Sequence, residues 1–80
     1  MSRPGLADIS ASLGELLRAA APGADAALVR RVASTTVTTA DALLRQAFRE
    51  HPNGDEHVLA EARTLLRGYV AARLDIHPEP

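Results

Sequence analysis

Eighty residues, a formal charge of −1 and no cysteine leave room for one domain at most, with no disulfide framework and no thiolate metal site to support it. The near-neutral balance lacks the basic footprint of a nucleic-acid-binding domain. Two aromatic residues, Phe48 and Tyr69, are too few for base-stacking platforms, and no apolar run reaches the ~20 residues of a membrane span or forms a signal-peptide core.

All nine basic residues are arginine. With abundant alanine, that usage points to a GC-rich bacterial genome, and the lack of cysteine fits a reducing cytoplasm. A domain this small buries little more than half of its unfolded surface, so partner helices are the remaining route to a sufficient core.

Residues 1–5 read as a disordered lead-in. A first helix is expected over 6–21, with Leu6, Ile9, Leu13, Leu16, Leu17 and Ala20 on its core side at steps of three and four. Ser12 and Glu15 have capping-box spacing, but the apolar periodicity continues upstream, which favours the longer helix. Gly14 weakens it by about 1 kcal/mol relative to Ala. Pro22-Gly23 stops it.

The second helix is expected over 25–51, capped by Asp25 and closed before Pro52. The run Ser34-Thr35-Thr36-Val37-Thr38-Thr39 has strand propensity. Helical periodicity on both flanks, with no Gly, Pro or Asn bounding the run, argues for helix throughout. Asp41 and Arg45 add an i,i+4 pair. At 100° per residue, Arg30, Arg31, Ser34, Thr38, Asp41, Arg45 and Arg49 share one stripe. Leu28, Val29, Val32, Ala33, Thr36, Val37, Thr39, Ala40, Leu43, Leu44 and Ala47 fill the rest. That apolar arc spans roughly 200°, against roughly 100° for a one-sided surface helix. Such a helix needs two covers, and the second is expected to be another copy of the chain or a part of a larger protein.

Asn53-Gly54 turns the chain, and Asp55 caps a third helix over 55–74. The short connection implies antiparallel packing. Val58, Leu59, Ala62, Leu65, Leu66, Tyr69 and Val70 form its apolar stripe. Ala60, Thr64, Gly68 and Ala72, four residues apart, are candidates for close helix packing, because a Gly inside a helix usually has a packing or functional reason. Residues 75–80 should be a frayed tail. The fold class is therefore all-α, with three helices of which the last two form a long antiparallel pair.

Catalytic chemistry is not expected. Ser2, Ser10, Ser12 and Ser34 have no identifiable base partner, and no glycine-rich phosphate loop occurs. His51 and His57 flank the turn around Asp55 and Glu56, but their spacing matches no standard metal site. No metal and no cofactor are therefore expected. The arginines read as a solvated face. Arg73 falls within the apolar arc, where it should snorkel outwards or meet an acceptor on a partner. Thr36 and Thr39 point into the arc, so each hydroxyl needs a partner: the i−4 carbonyl, a neighbouring helix, or a ligand.

The segments AAPGADAALVRRVAS and TTADALLRQAFREHP, the Asn-Gly-Asp turn and LAEARTLLRGYVAARL resemble the C-terminal end of bacterial regulators of the tetracycline-repressor family. The resemblance covers about residues 6–75. It implies that the second and third helices dimerise as a four-helix bundle with a second subunit, and that the preceding helices enclose a pocket for a small apolar effector. The family's DNA-binding helix-turn-helix is not in these 80 residues, so the segment itself should contact no nucleic acid. Val29, Val32, Thr36, Leu43, Ala47, Leu65, Leu66, Tyr69 and Val70 are the candidates for dimer interface or core. The alternative is a free-standing small helical protein-interaction module.

Overall fold

The computed structural model describes residues 5–49 and 51–76. It contains three helices: α1 (Leu6–Ala20), α2 (Ala26–Arg49) and α3 (Glu56–Leu74). No strand occurs among the described residues.

Local chemistry accounts for each start and stop. Gly5 provides the extended N-cap of α1, and the Asp8 carboxylate reaches back to accept its N–H at 3.4 Å. That is one half of a capping box, and it places an acid where the helix dipole favours it. Ser12 lies inside α1 and starts nothing. The Ala21 N–H still donates to the Leu17 carbonyl at 2.8 Å, and Pro22 cannot continue the ladder. Asp25 caps α2 by accepting the Leu28 N–H at 3.1 Å.

The threonine run is helical throughout. Its β-branched residues each cost a few tenths of a kcal/mol in propensity. Burial of Val29, Val32, Ala33 and Val37 on the same helix outweighs that cost. Asp41 and Arg45 pair at 3.1 Å on the exposed side, which adds at most about 0.5 kcal/mol.

After α2 the chain reverses through a turn in which Gly54 donates to the His51 carbonyl at 2.8 Å and Asp55 to the Ala47 carbonyl at 2.9 Å. Gly54 sits at φ +87°, a conformation open to Gly at no steric cost. A Cβ there would lie 3.0 Å from the Phe48 ring and 3.1 Å from the Leu59 side chain. Asp55 then caps α3, with Oδ1 accepting the His57 N–H at 2.9 Å and the Val58 N–H at 3.3 Å.

The end of α3 corrects the expected frayed tail. Asp75 adopts the left-handed conformation at φ 55°, and the Ile76 N–H donates to the Ala71 carbonyl at 3.2 Å. This is a Schellman closure with Asp in the usual glycine position. It turns Ile76 back onto the core rather than into solvent. Residues 77–80, with residues 1–4 and Glu50, lie outside the described residues.

Val29, Val32 and Ala33 of α2, Leu17 of α1 and Leu74 of α3 form the central cluster, with Leu13, Leu28, Tyr69 and Val70 packed around it. Gly14 is buried against Ala33. A Cβ there would meet the Ala33 Cβ at 3.9 Å, an ordinary contact, so packing does not require the glycine.

Both flanks of the wide arc on α2 are thus covered from within the chain, α1 on one and α3 on the other. Among the described residues, however, no Cα of α1 lies within 8 Å of a Cα of α3. The helices therefore form an open layer, 41 × 38 × 16 Å, and not a closed bundle. Its radius of gyration is 13.7 Å, against about 11.6 Å for a compact chain of this length.

Two predictions follow from the turn. Gly54→Ala should destabilise the fold by about 1–3 kcal/mol, because it strains a positive φ and drives a Cβ to about 3.0 Å from the Phe48 ring; thermal melting checks this. The second concerns acid. The Val58 N–H bond, with the His57 N–H and two nearby histidines, holds the Asp55 carboxyl below its ordinary value of 3.8, against an opposing desolvation. A depressed folded value means that the stabilisation is present above the unfolded pKa and is lost as pH falls through 3.8 and below. Asp55→Asn keeps a capping oxygen but cannot titrate. It should leave the melting temperature near pH 7 little changed and flatten its acid dependence below about pH 5.

Candidate functional site

The open layer leaves an apolar cleft between α1 and α3. Leu13 and Leu17 line one wall, and Leu66, Val70 and Ala71 the other, with Ile76 and Arg67 also contributing. Thr36 of α2 lies at its floor. The volume is about 360 Å³. The Thr36 Oγ1 is enclosed and has no hydrogen-bond partner, so of the three partners considered from sequence, the i−4 carbonyl is not the one used. An unpaired buried hydroxyl costs about 1–3 kcal/mol.

The nine candidates for interface or core fall into three groups. Val29, Val32 and Ala47 are fully buried within the chain. Thr36, Leu43, Leu66, Tyr69 and Val70 are half-buried. Leu65 is 54% exposed. The close-packing candidates Ala60, Thr64, Gly68 and Ala72 are all exposed, and a Cβ on Gly68 would meet nothing within 4 Å. No helix of this chain uses that stripe.

Two residues missing from the nine emerge from the structure. Leu44 and Phe48 are 47% and 48% exposed on the last three turns of α2. With Thr36 and Ala40 they lie four residues apart, so this ridge was legible as a pattern. Leu6 and Ala7, at the start of α1, line a cavity that Val37 and Thr38 of α2 also line. Leu6, Ile9 and Leu16 of α1 are also exposed.

The polar groups converge little. The His51 Nε2 lies 3.7 Å from the Asp55 Oδ2, an ion pair only when the imidazole is protonated and too long for a hydrogen bond. His57 meets Asp55 through its backbone N–H. Among the described residues no group of three or more His, Asp or Glu side chains could hold a metal ion. Arg30, Arg31, Arg45 and Arg49 are exposed on the face of α2 opposite its apolar arc, and Arg73 is exposed near the end of α3. No helix among the described residues is long and apolar enough to cross a membrane.

Comparison with known proteins agrees with this architecture. No curated protein and no solved structure matches the chain. One protein-family model does, described as the tetracyclin repressor-like, C-terminal domain, and it matches residues 6–69. That stretch takes in α1, α2 and most of α3, which are the helices that carry the cleft and the exposed ridge. The chain belongs to the tetracyclin repressor-like C-terminal domain family, the regulatory end of tetracycline-repressor-type transcriptional regulators.

Proposed function

We propose that these residues are the self-associating part of a bacterial regulator's C-terminal domain, with α2 and α3 pairing with the same helices of a second copy. The observation that carries this reading is the large apolar side chains that α2 and α3 leave in water: Leu44 is 47%, Phe48 48% and Leu65 54% exposed. In the resulting four-helix bundle, Val29, Val32 and Ala47 serve each subunit's own core, and the half-buried and exposed candidates serve the contact.

In this reading the role is regulatory and not catalytic, and the compartment is the cytoplasm. DNA contact belongs to a helix-turn-helix outside these residues. The cleft supplies one wall of an effector pocket that further helices complete. Its apolar lining suits a small apolar molecule. Rotation about χ1, which helical Thr tolerates because it divides between two rotamers, would turn the Thr36 hydroxyl towards an acceptor or donor on that molecule.

Two measurements test these statements. Light scattering across a dilution series, with circular dichroism alongside, should give a helical species near twice the 8.5 kDa chain mass that loses helicity as it dissociates. A folded monomer at every concentration would reject the self-association reading. Thr36→Val replaces the orphaned hydroxyl by a methyl group of similar shape. Without ligand, it should raise stability by about 1 kcal/mol in thermal melts. A loss of similar size would mean that the hydroxyl is satisfied in solution and is not held in reserve for a ligand.

A further inference from the structure

We infer that the cleft between α1 and α3 takes a small apolar acid, with its body between the two helices and its carboxylate against Arg67. This rests on the reading of the cleft as an effector pocket and adds the charge of the occupant.

The walls of the cleft are aliphatic side chains, and Thr36 adds a hydroxyl without charge. Arg67 is the one charged residue that lines it. It is nonetheless exposed to water, which places it where the cleft opens. An arginine in such a place lays its aliphatic stem along the apolar wall and keeps the guanidinium wet. No carboxylate of the cleft answers that charge. The positions three and four residues away on α3 are Arg63, Thr64, Val70 and Ala71, so the helix itself offers no acid at pairing distance. Among the described residues Arg67 has no ion-pair partner. Glu15 and Asp75 line other cavities.

A guanidinium at the mouth of an apolar cleft is complementary to a molecule with an apolar body and one anionic end. Its planar fork matches a carboxylate with two parallel bonds. A cation of the same shape would meet like charge instead. The whole chain carries −1, so its overall field disfavours an anion, and a preference for one has to arise locally. The cleft holds about 360 Å³, near the small end of the roughly 300–1,000 Å³ range of ligand pockets. The acid is therefore a short one.

Two probes of one shape and opposite charge test this. The isotope-labelled chain would be titrated with octanoate and, separately, with octylammonium at pH 7 and low salt, where both are ionised. The amide shifts of Leu13, Leu66, Val70 and Ala71 report occupation of the cleft. Octanoate should bind about tenfold more tightly, since an exposed ion pair gains up to about fivefold and the like-charged probe loses a comparable factor. Arg67→Gln should bring the two probes within about twofold of each other, and Arg67→Glu should reverse their order. Arg30→Glu changes the net charge as much as Arg67→Glu does, but Arg30 lines a different cavity; it should leave the order unchanged. If neither probe shifts the cleft amides, the pocket reading and this inference both fall. Occupation of the cleft without preference, or with octylammonium the tighter, would overturn the acid alone. So would a preference that survives Arg67→Gln, or one that Arg30→Glu removes as fully as Arg67→Glu.

Discussion

The structure depends on one constraint: α2 is apolar around more of its circumference than any single neighbour can cover. A closed three-helix bundle would meet this by letting each helix touch the other two. Here α1 and α3 take separate flanks of α2 and leave the space between them open. Where α1 meets α2, Gly14 and Ala33 contribute little area, and Leu17 supplies the buried apolar side chain. The fully buried core is correspondingly slight, built of Val29, Val32, Ala33 and Ala47, with Leu17, Val37 and Leu74 nearly so. Such a core is dominated by valine and alanine, which bury less apolar surface per residue than leucine or phenylalanine. The largest apolar side chains of the chain are among those left partly in water.

With so small a core, the helix ends carry an unusual share of the structural definition. Asp25 and Asp55 each satisfy first-turn N–H groups, Asp8 reaches back to Gly5, and Asp75 closes α3 in a left-handed conformation. Four aspartates thus serve at helix termini, and Asp41 pairs with Arg45 on the exposed side of α2. The turn between α2 and α3 is equally local. Gly54 fits under the Phe48 ring because it lacks a side chain, and this fixes the reversal that sets α3 antiparallel to α2.

Most of the secondary structure was legible because it rests on local signals: Pro22-Gly23, Asp25, Pro52-Asn53-Gly54 and Asp55 each act within a few residues. The threonine run was legible for the opposite reason. Its own propensity points to strand, and only the uninterrupted periodicity around it gives the right answer. What sequence could not settle was which cover goes where. The 200° arc required two neighbours, yet periodicity could not say that α1 would be one of them. Nor could it say that Leu44 and Phe48 would stay about half exposed, which is a tertiary fact. Ile76 was misread because tails usually fray, and a Schellman closure with aspartate in the glycine position gives little warning in sequence. The Thr36 hydroxyl was singled out correctly as needing a partner, but its lack of one is a matter of rotamer and packing that no pattern encodes.

The two open features of the layer lie on a single rigid element. Thr36 floors the cleft, and Leu44 and Phe48 stand two and three turns further along the same ridge of α2. A helix without Gly or Pro between those positions transmits displacement as a rod, since bending it requires a break in its hydrogen-bond ladder. α1 and α3 each seat on that rod, and no Cα of one lies within 8 Å of a Cα of the other. The width of the cleft is therefore set by how the two helices sit on α2, and by no contact between them.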